Sequence, residues 1–357
     1  MRGCLLAFLL VSGILLAQPY GLKAGPAKLE SAEALAFGPD GILFVGDSAG
    51  GAVFALDTGD RTPVSNAPAV SITGIDQKIA ALLGTKPSEI RFNDIKVNPI
   101  SKNIYLAIGR GRGPDAIPVI LRLTASGSME EVDLANVSHS RVDLPGLPAK
   151  LLARRRASRA LAITDLQYSA GQLIVAGLSN EDFSSTLRVV PFPFAKADRG
   201  ASIEIYHTSH FAYETNSPVR TMVPYTSGGE RFLLAAYTCT PLVKLRMSDL
   251  EDGTHITGET LAELGRHSSP IDMILYQRGG QDFLLVANTL HGVQKLSLSG
   301  FANFEGVNED GGDDHQIPMQ KVLSLKAVVQ LDAYDETRAL MMFDLKDRLD
   351  LRLVPLP

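Results

Sequence analysis

Six charged residues hold matching places in six similar stretches of this chain. They are Glu33 before "ALAF", Asp94 before "IKV", Asp165 before "LQY", Arg220 before "TMV", Asp272 before "MIL" and Lys326 before "AVV". If the fold brings these stretches together, four acids and two bases meet in one small space. Carboxylate oxygens suit a hard cation, so Glu33, Asp94, Asp165 and Asp272 are candidate metal ligands, and a divalent cation such as calcium is the cofactor they would take. The same residues can equally form a hydrated salt-bridge ring with Arg220 and Lys326, because charge in a confined place must be paired, hydrated or bound to metal. Both readings stay open at this level.

A second set follows the next apolar run of each stretch: Asp47, Arg110 and Arg112, Asn180 and Asp182, Thr238, Asn288 and His291, and Asp344. Of these, Arg110, Asn288 and His291 are candidate contacts for a small polar ligand. The loop "GRGRGP" at 109–114 has backbone amides and two guanidinium groups that could hold an anion. It lacks the lysine and spacing of a P-loop, so no nucleotide is expected. His207 and His210 in "YHTSHF" are too weakly placed for zinc. The acidic run 308–316 does not match an EF-hand and reads as a surface loop. Asn136-Val137-Ser138 is a glycosylation sequon. There is no G-x-S-x-G elbow, no C-x-x-C-H haem attachment and no Trp.

The elements that must position these residues repeat. "ALAFGPDGILFVGD", "DIKVNPISKNIYLAIG", "DLQYSAGQLIVAG", "RTMVPYTSGGERFLLAAYT", "DMILYQRGGQDFLLVANT" and "KAVVQLDAYDETRALMMFD" are each a short apolar run, a polar or glycine-containing turn and a more apolar run. That is hairpin chemistry. A third strand follows each ("GAVFALD", "PVILRLT", "STLRVVPF", "LVKLRM", "GVQKLSL", "LDLRLVPL"), and a fourth is expected in "MEEVDL", "ASIEIYH" and "GETLAEL". Four short strands per unit at a long period predict an all-β, six-bladed β-propeller of four-stranded blades, with seven blades as the runner-up. Residues 74–90 and 147–158 have helical spacing and are expected as short inserts capping one mouth of the channel. Because the sixth unit stops after its third strand, the segment Gly21–Ser31 is expected to complete the last blade and cover its edge.

Residues 1–17 read as a secretory signal peptide, with Arg2 ahead of a leucine-rich apolar run, which leaves 18–357 as a single propeller domain. No later stretch is apolar enough to span a bilayer, so a secreted or periplasmic monomer is expected. Cys239 then has no cysteine partner and reads as a buried, unreactive thiol. The net charge of −5 argues against nucleic acid as the main partner.

"RFNDIKVNP", Arg91 to Pro99, resembles the Arg-x-Asn-Asp segment of the gluconolactonase/regucalcin family. Glu33 resembles that family's first acidic metal ligand. The resemblance implies a six-bladed propeller with a divalent metal at the channel mouth, and Arg91 and Asn93 in contact with substrate. Asp165 and Asp272 stand one place later than the family pattern and lack its following glycine. The first expectation is therefore a propeller that binds a small polar molecule or an envelope protein at its capped mouth. The alternative is a metal-dependent lactonase or esterase.

Overall fold

The structure is a computed structural model that describes residues 19–64, 69–124, 127–149, 159–207, 211–238, 241–265, 267–304, 306–307 and 316–357. The leader expected over 1–17, Arg154 to Arg156 of the second insert, His210, Cys239 and residues 308–315 of the acidic run lie outside the described residues.

Period-two alternation and short turns give six antiparallel blades. The two-glycine turns Gly228-Gly229 and Gly279-Gly280 both have positive φ at the two central positions, the geometry that joins twisted antiparallel strands with two residues. Counting by sequence, the inner strands of blades 1 to 6 are Ala34–Phe37, Ile90–Val97, Asp165–Ser169, Val219–Ser227, Pro270–Arg278 and Val328–Ala333. Each pairs with the run that follows it, and that run with a third strand. The expected fourth strands form at Met129–Glu131, Ala201–His207 and His255–Glu263. A further one, Met319–Lys321, closes blade 5.

Blades 3, 4, 5 and 6 follow one another round the ring as they do in the chain. Blades 1 and 2 do not. The inner strand of blade 1 packs against those of blades 2 and 3, and the inner strand of blade 2 packs against those of blades 1 and 6. The order round the channel is therefore 1, 3, 4, 5, 6, 2. The buried apolar clusters agree. One joins blade 1 to blade 3 through Phe44, Val53, Leu173 and Val190. Another joins blade 1 to blade 2 through Leu35, Val45, Tyr105 and Ile120. A third joins blade 2 to blade 6 through Ile95, Leu106, Leu340 and Met342.

This order corrects the expected clasp. Lys23–Gly25 pairs with Val137–Asp143, which itself pairs with the third strand of blade 1. The open edge of blade 6 is covered instead by Ser71–Ile72, supplied between blades 1 and 2. Edge coverage is met, but by a segment too short to show a period. The chain leaving blade 1 crosses blade 2 and is pinned there by Asp60. Its buried carboxylate accepts hydrogen bonds from Asn98 Nδ2, Ser101 Oγ, Asn103 Nδ2 and Tyr105 OH, at 2.8–3.2 Å. Asp47 fixes the N-terminal segment similarly, accepting from the backbone amides of Glu30 and Ser31 at 2.9 and 2.8 Å.

The first expected insert forms an α-helix at Ile75–Leu82 and a short 3-10 turn at Pro87–Glu89. Ile75, Ile79 and Leu83 bury one helix face against blades 2 and 6. Among the described residues no helix is long and apolar enough to cross a membrane.

Candidate functional site

The inner strands deliver two tiers of side chains to the channel, because residues i and i+2 of a strand share a face. The pairing register defines the first tier. Asp94, Asp165, Thr221 and Asp272 lie opposite Ala107, Ala176, Ala236 and Ala287. Ala34 and Gln330 lie opposite Gly46 and Met342. The expected column was right at Asp94, Asp165 and Asp272 and out of register at the other three. Glu33 and Arg220 precede Ala34 and Thr221 by one residue, and Lys326 precedes Gln330 by four. The pairing is irregular between Phe92 and Asp94, Val219 and Thr221, Pro270 and Asp272, and Val328 and Gln330, so counting residues from the sequence does not keep one face in blades 4 and 6; in blade 1, where the register is regular, Glu33 stands one residue ahead of Ala34. One extra residue on one strand turns every later side chain to the other face.

The second tier, two residues on, holds Lys96 from blade 2 and Asp332 from blade 6. Lys96 Nζ lies 3.3 Å from Asp94 Oδ1 and 4.0 Å from Asp272 Oδ1. The carboxylates also join neighbouring blades. Asp94 Oδ2 accepts the backbone N–H of Leu35 at 2.7 Å. Asp165 Oδ2 accepts that of Met222 at 2.7 Å. Asp272 Oδ2 accepts that of Leu331 at 3.0 Å, and Asp332 Oδ2 that of Val97 at 2.7 Å. The remaining oxygens of Asp94 and Asp165 take the amides of Ile95 and Leu166 on their own strands.

Burial penalises the charged forms of Asp165, Asp272 and Asp332. Burial, partly offset by Lys96, pushes Asp165 up to about 7 and Asp332 up to about 6. Burial together with Asp94 and Asp165 pushes Asp272 up to about 8. Burial pulls the Lys96 ammonium down, but Asp94, Asp332, Asp272 and Asp165 together hold it well above the ordinary lysine value. Lys96 is therefore a cation at any physiological pH, and protons on the acids supply the rest of the balance.

Above the first tier the structure brings Glu33, Arg91 and Asn93 together. Arg91 Nη2 donates to Glu33 Oε1 at 2.7 Å and Arg91 Nε to Asn93 Oδ1 at 2.7 Å. Asn93 Nδ2 donates to the carbonyl of Ala32. Burial raises Glu33, while Arg91 and Arg220 lower it. The other three candidate ligand residues make their contacts elsewhere. Arg110 Nη1 lies 3.5 Å from the carbonyl of Leu83, which ties the glycine-rich loop to the helical insert. Asn288 donates to Gln294 within blade 5. His291 Nδ1 faces Lys321 Nζ at 3.3 Å.

A cavity of about 330 Å³ opens where the inner strands end. Lys96, Asp332, Gln167, Tyr168, Lys102 and Tyr334 are among its lining residues. Tyr334 is 2% exposed, yet its hydroxyl has no hydrogen-bond partner. In the first tier the side-chain oxygen of buried Gln330 is likewise unpartnered. Sequence reasoning missed Lys96, Asp332, Gln330 and Tyr334. Two signals pointed to them: a small Ala or Gly opposite the column in most second strands, and the i+2 spacing of Lys96 from Asp94.

The calcium that the sequence suggested would need several free carboxylate oxygens around one point. Among the described residues no group of three or more His, Cys, Asp or Glu side chains could hold a metal ion. Both oxygens of Asp94 and Asp165 and one oxygen each of Asp272 and Asp332 already accept backbone amides, and the Lys96 ammonium stands where a cation would. These residues do not fit a calcium centre.

No protein-family model matches this chain, and no curated protein does. Solved structures with a similar chain path include three at low scores. A putative oxidoreductase (glucose dehydrogenase) of Thermus thermophilus has 13% identity and TM-score 0.39, over 94% of this chain and 100% of that one. The PQQ-bound aldose sugar dehydrogenase of Streptomyces coelicolor has 11% identity and TM-score 0.35, over 93% and 97%. The Cps50 (Swd1) β-propeller domain of Myceliophthora thermophila has 11% identity and TM-score 0.38, over 91% and 82%. The class of this protein, a six-bladed β-propeller, rests on its own blades.

Proposed function

We propose that this propeller is a secreted binding module for a small polar molecule, which it takes in the cavity at the lower end of the channel, with Lys96 as the resident cation above it. The observation that carries this reading is the cavity itself, lined by Lys96, Asp332, Tyr168 and Tyr334; the Tyr334 hydroxyl is buried without a partner. A buried polar group left unsatisfied costs about 1–3 kcal/mol, so its retention beside Lys96 and Asp332 fits a site that a hydrogen-bonding ligand completes. Lys96 and Asp332 offer charges of opposite sign. Tyr168 and Tyr334 offer aromatic walls, the usual make-up of a small-molecule pocket.

The test is to release small molecules from protein purified under native conditions, identify them by mass spectrometry, and titrate each into wild type and Tyr334→Phe. The reading expects at least one sugar, amino acid or polyamine that raises the unfolding temperature of wild type. Tyr334→Phe should fold as well as wild type and bind at least tenfold more weakly. Equal affinity in the two proteins contradicts the assignment of the cavity.

A second reading is favoured by the meeting of Glu33, Arg91 and Asn93, which the gluconolactonase resemblance implied. It would place a polar substrate at the upper mouth. Hydrolysis of a lactone panel, lost in Arg91→Ala and retained in Tyr334→Phe, would favour it over the first.

A further inference from the structure

The cavity at the lower end of the channel has Lys96, Lys102, Asp332 and Asp335 among its lining residues. These charges are not equally available. Lys96 is held by Asp94 and Asp272, at 3.3 and 4.0 Å. Asp335 is consumed by its own hairpin. It accepts from the Arg338 guanidinium at 2.6 and 2.8 Å, from the Thr337 hydroxyl at 2.9 Å, and from the amides of Thr337 and Arg338. Lys102 and Asp332 are different. Among the described residues neither stands within 4.0 Å of an opposite charge, and Lys96 acts on Asp332 only from farther off.

Each of the two keeps hydrogen-bonding capacity. Lys102 Nζ donates from blade 2 to the Tyr334 carbonyl of blade 6 at 3.0 Å, and an ammonium has further N–H donors to give. Asp332 accepts the amides of Val97, at 2.7 Å, and of Ala333, and a carboxylate has lone pairs left after two such bonds. The carbonyl that receives Lys102 belongs to the residue two places after Asp332, ~7 Å of extended chain. The backbone supports a role for Lys102. Its φ is 60°, a left-handed conformation that a lysine adopts at a cost and a glycine adopts freely. Phe37 and Tyr168 give the same cavity aromatic walls.

A cation and an anion a short span apart, beside apolar walls, are complementary to a molecule that carries both charges and an apolar body. We propose that the ligand of this cavity is an apolar amino acid, with its carboxylate on Lys102, its ammonium on Asp332 and its side chain against Phe37 and Tyr168. This inference rests on the binding reading of the cavity given above and narrows its ligand class.

The test is calorimetric titration of wild type at pH 7.5, where Asp332, pushed up to about 6, is ionised. The probes are L-leucine and L-phenylalanine with their one-charge analogues. Isocaproate and hydrocinnamate lack the ammonium; isoamylamine and phenethylamine lack the carboxylate. At least one amino acid should bind at least tenfold more tightly than both of its analogues. Lys102→Met should weaken that amino acid at least tenfold and leave its amine analogue unchanged. Asp332→Asn should weaken it as much and leave its acid analogue unchanged. If a variant does not fold, the comparison within wild type decides by itself. Amino acids that do not bind, or bind no more tightly than their analogues, overturn the proposal, as do amino acids bound equally by wild type and both folded variants. Glucose and putrescine, titrated alongside, separate this failure from failure of the cavity reading. Either one bound by wild type and weakened in Tyr334→Phe leaves the cavity as a site for another ligand class, whereas no binding of any probe removes the cavity reading as well.

Discussion

In the channel, four carboxylates from blades 2, 3, 5 and 6 gather about a single ammonium, and their oxygens also receive backbone amides from the next blade. Between blades 1 and 3, the Arg188 guanidinium lies buried with two nitrogens unpartnered. Both regions are buried. In the first, counter-charge and hydrogen bonds come from the protein itself, so the charges knit blade to blade. In the second, the contact made among the described residues is one backbone carbonyl, that of Pro145, 3.3 Å from Nη2, and no carboxylate pairs with the charge. Buried charge therefore says little by itself; what matters is whether the chain satisfies it internally. The same criterion separates the structural Asp272 from the orphaned Tyr334 hydroxyl in one channel.

The largest effect is expected from Lys96→Met. Removing one partner of a buried charge cluster typically destabilises by about 3–5 kcal/mol. Urea unfolding at pH 8 should show a loss of that order. At pH 5, where Asp165, Asp272 and Asp332 take up protons, the loss should shrink by at least half. A loss independent of pH would mean that Lys96 acts by packing and not by charge.

Next in size is the pH dependence of the wild type. Asp332, Asp165 and Asp272 have folded values of about 6, 7 and 8, against about 4 in an unfolded chain. Between pH 4 and pH 8 the folded state therefore holds more protons than the unfolded state, and these groups make stability fall as pH rises through that window. The unfolding temperature should be highest near pH 5 and several degrees lower at pH 8. Asp272→Asn, which mimics the protonated acid, should flatten the upper part of this decline, between about pH 6 and pH 8. A steeper decline in that variant would show that Asp272 is ionised in the fold.

The smallest effect is expected from Tyr334→Phe without ligand. Deleting a buried hydroxyl that has no partner should leave stability within about 0.5 kcal/mol of wild type or raise it slightly. A loss above about 1.5 kcal/mol, typical of a hydrogen bond deleted in a core, would mean that the hydroxyl is satisfied inside the protein.

The blade count was legible in the sequence because each blade repeats one local pattern, an apolar run, a turn and a second apolar run. The order of the blades was not. Nothing in the residues of blades 1 and 2 says that the chain passes from blade 1 to the far edge of blade 6 before building blade 2. That path is written in Ser71–Ile72, too short to show a period, and in Asp60, whose partners all lie 38 or more residues away. The candidate site was half legible for a related reason. Asp165 and Asp272 open or nearly open an inner strand and Asp94 stands just ahead of the apolar Ile95 in mid-strand, so charge ahead of an apolar run found all three. Lys96 and Asp332 lie two residues deeper on the same face, and an irregular register hides that face from simple alignment. Arg188 carried no signal at all, since one arginine in an apolar strand reads like any other until its partners are known to be missing.

Lys96 is the cation of the channel, and that assignment can be measured. The direct measurement is the unfolding temperature of wild type, Asp272→Asn and Lys96→Met at pH 7.5, each in millimolar calcium and in excess chelator. Wild type and Asp272→Asn should respond alike and by no more than about 1 °C, because the Lys96 ammonium already stands among the carboxylates, while Lys96→Met gains a calcium-dependent rise as the ion replaces the lost ammonium. A wild type that calcium stabilises and chelator destabilises, with the response lost in Asp272→Asn, would contradict it and restore the metal-dependent reading of the channel.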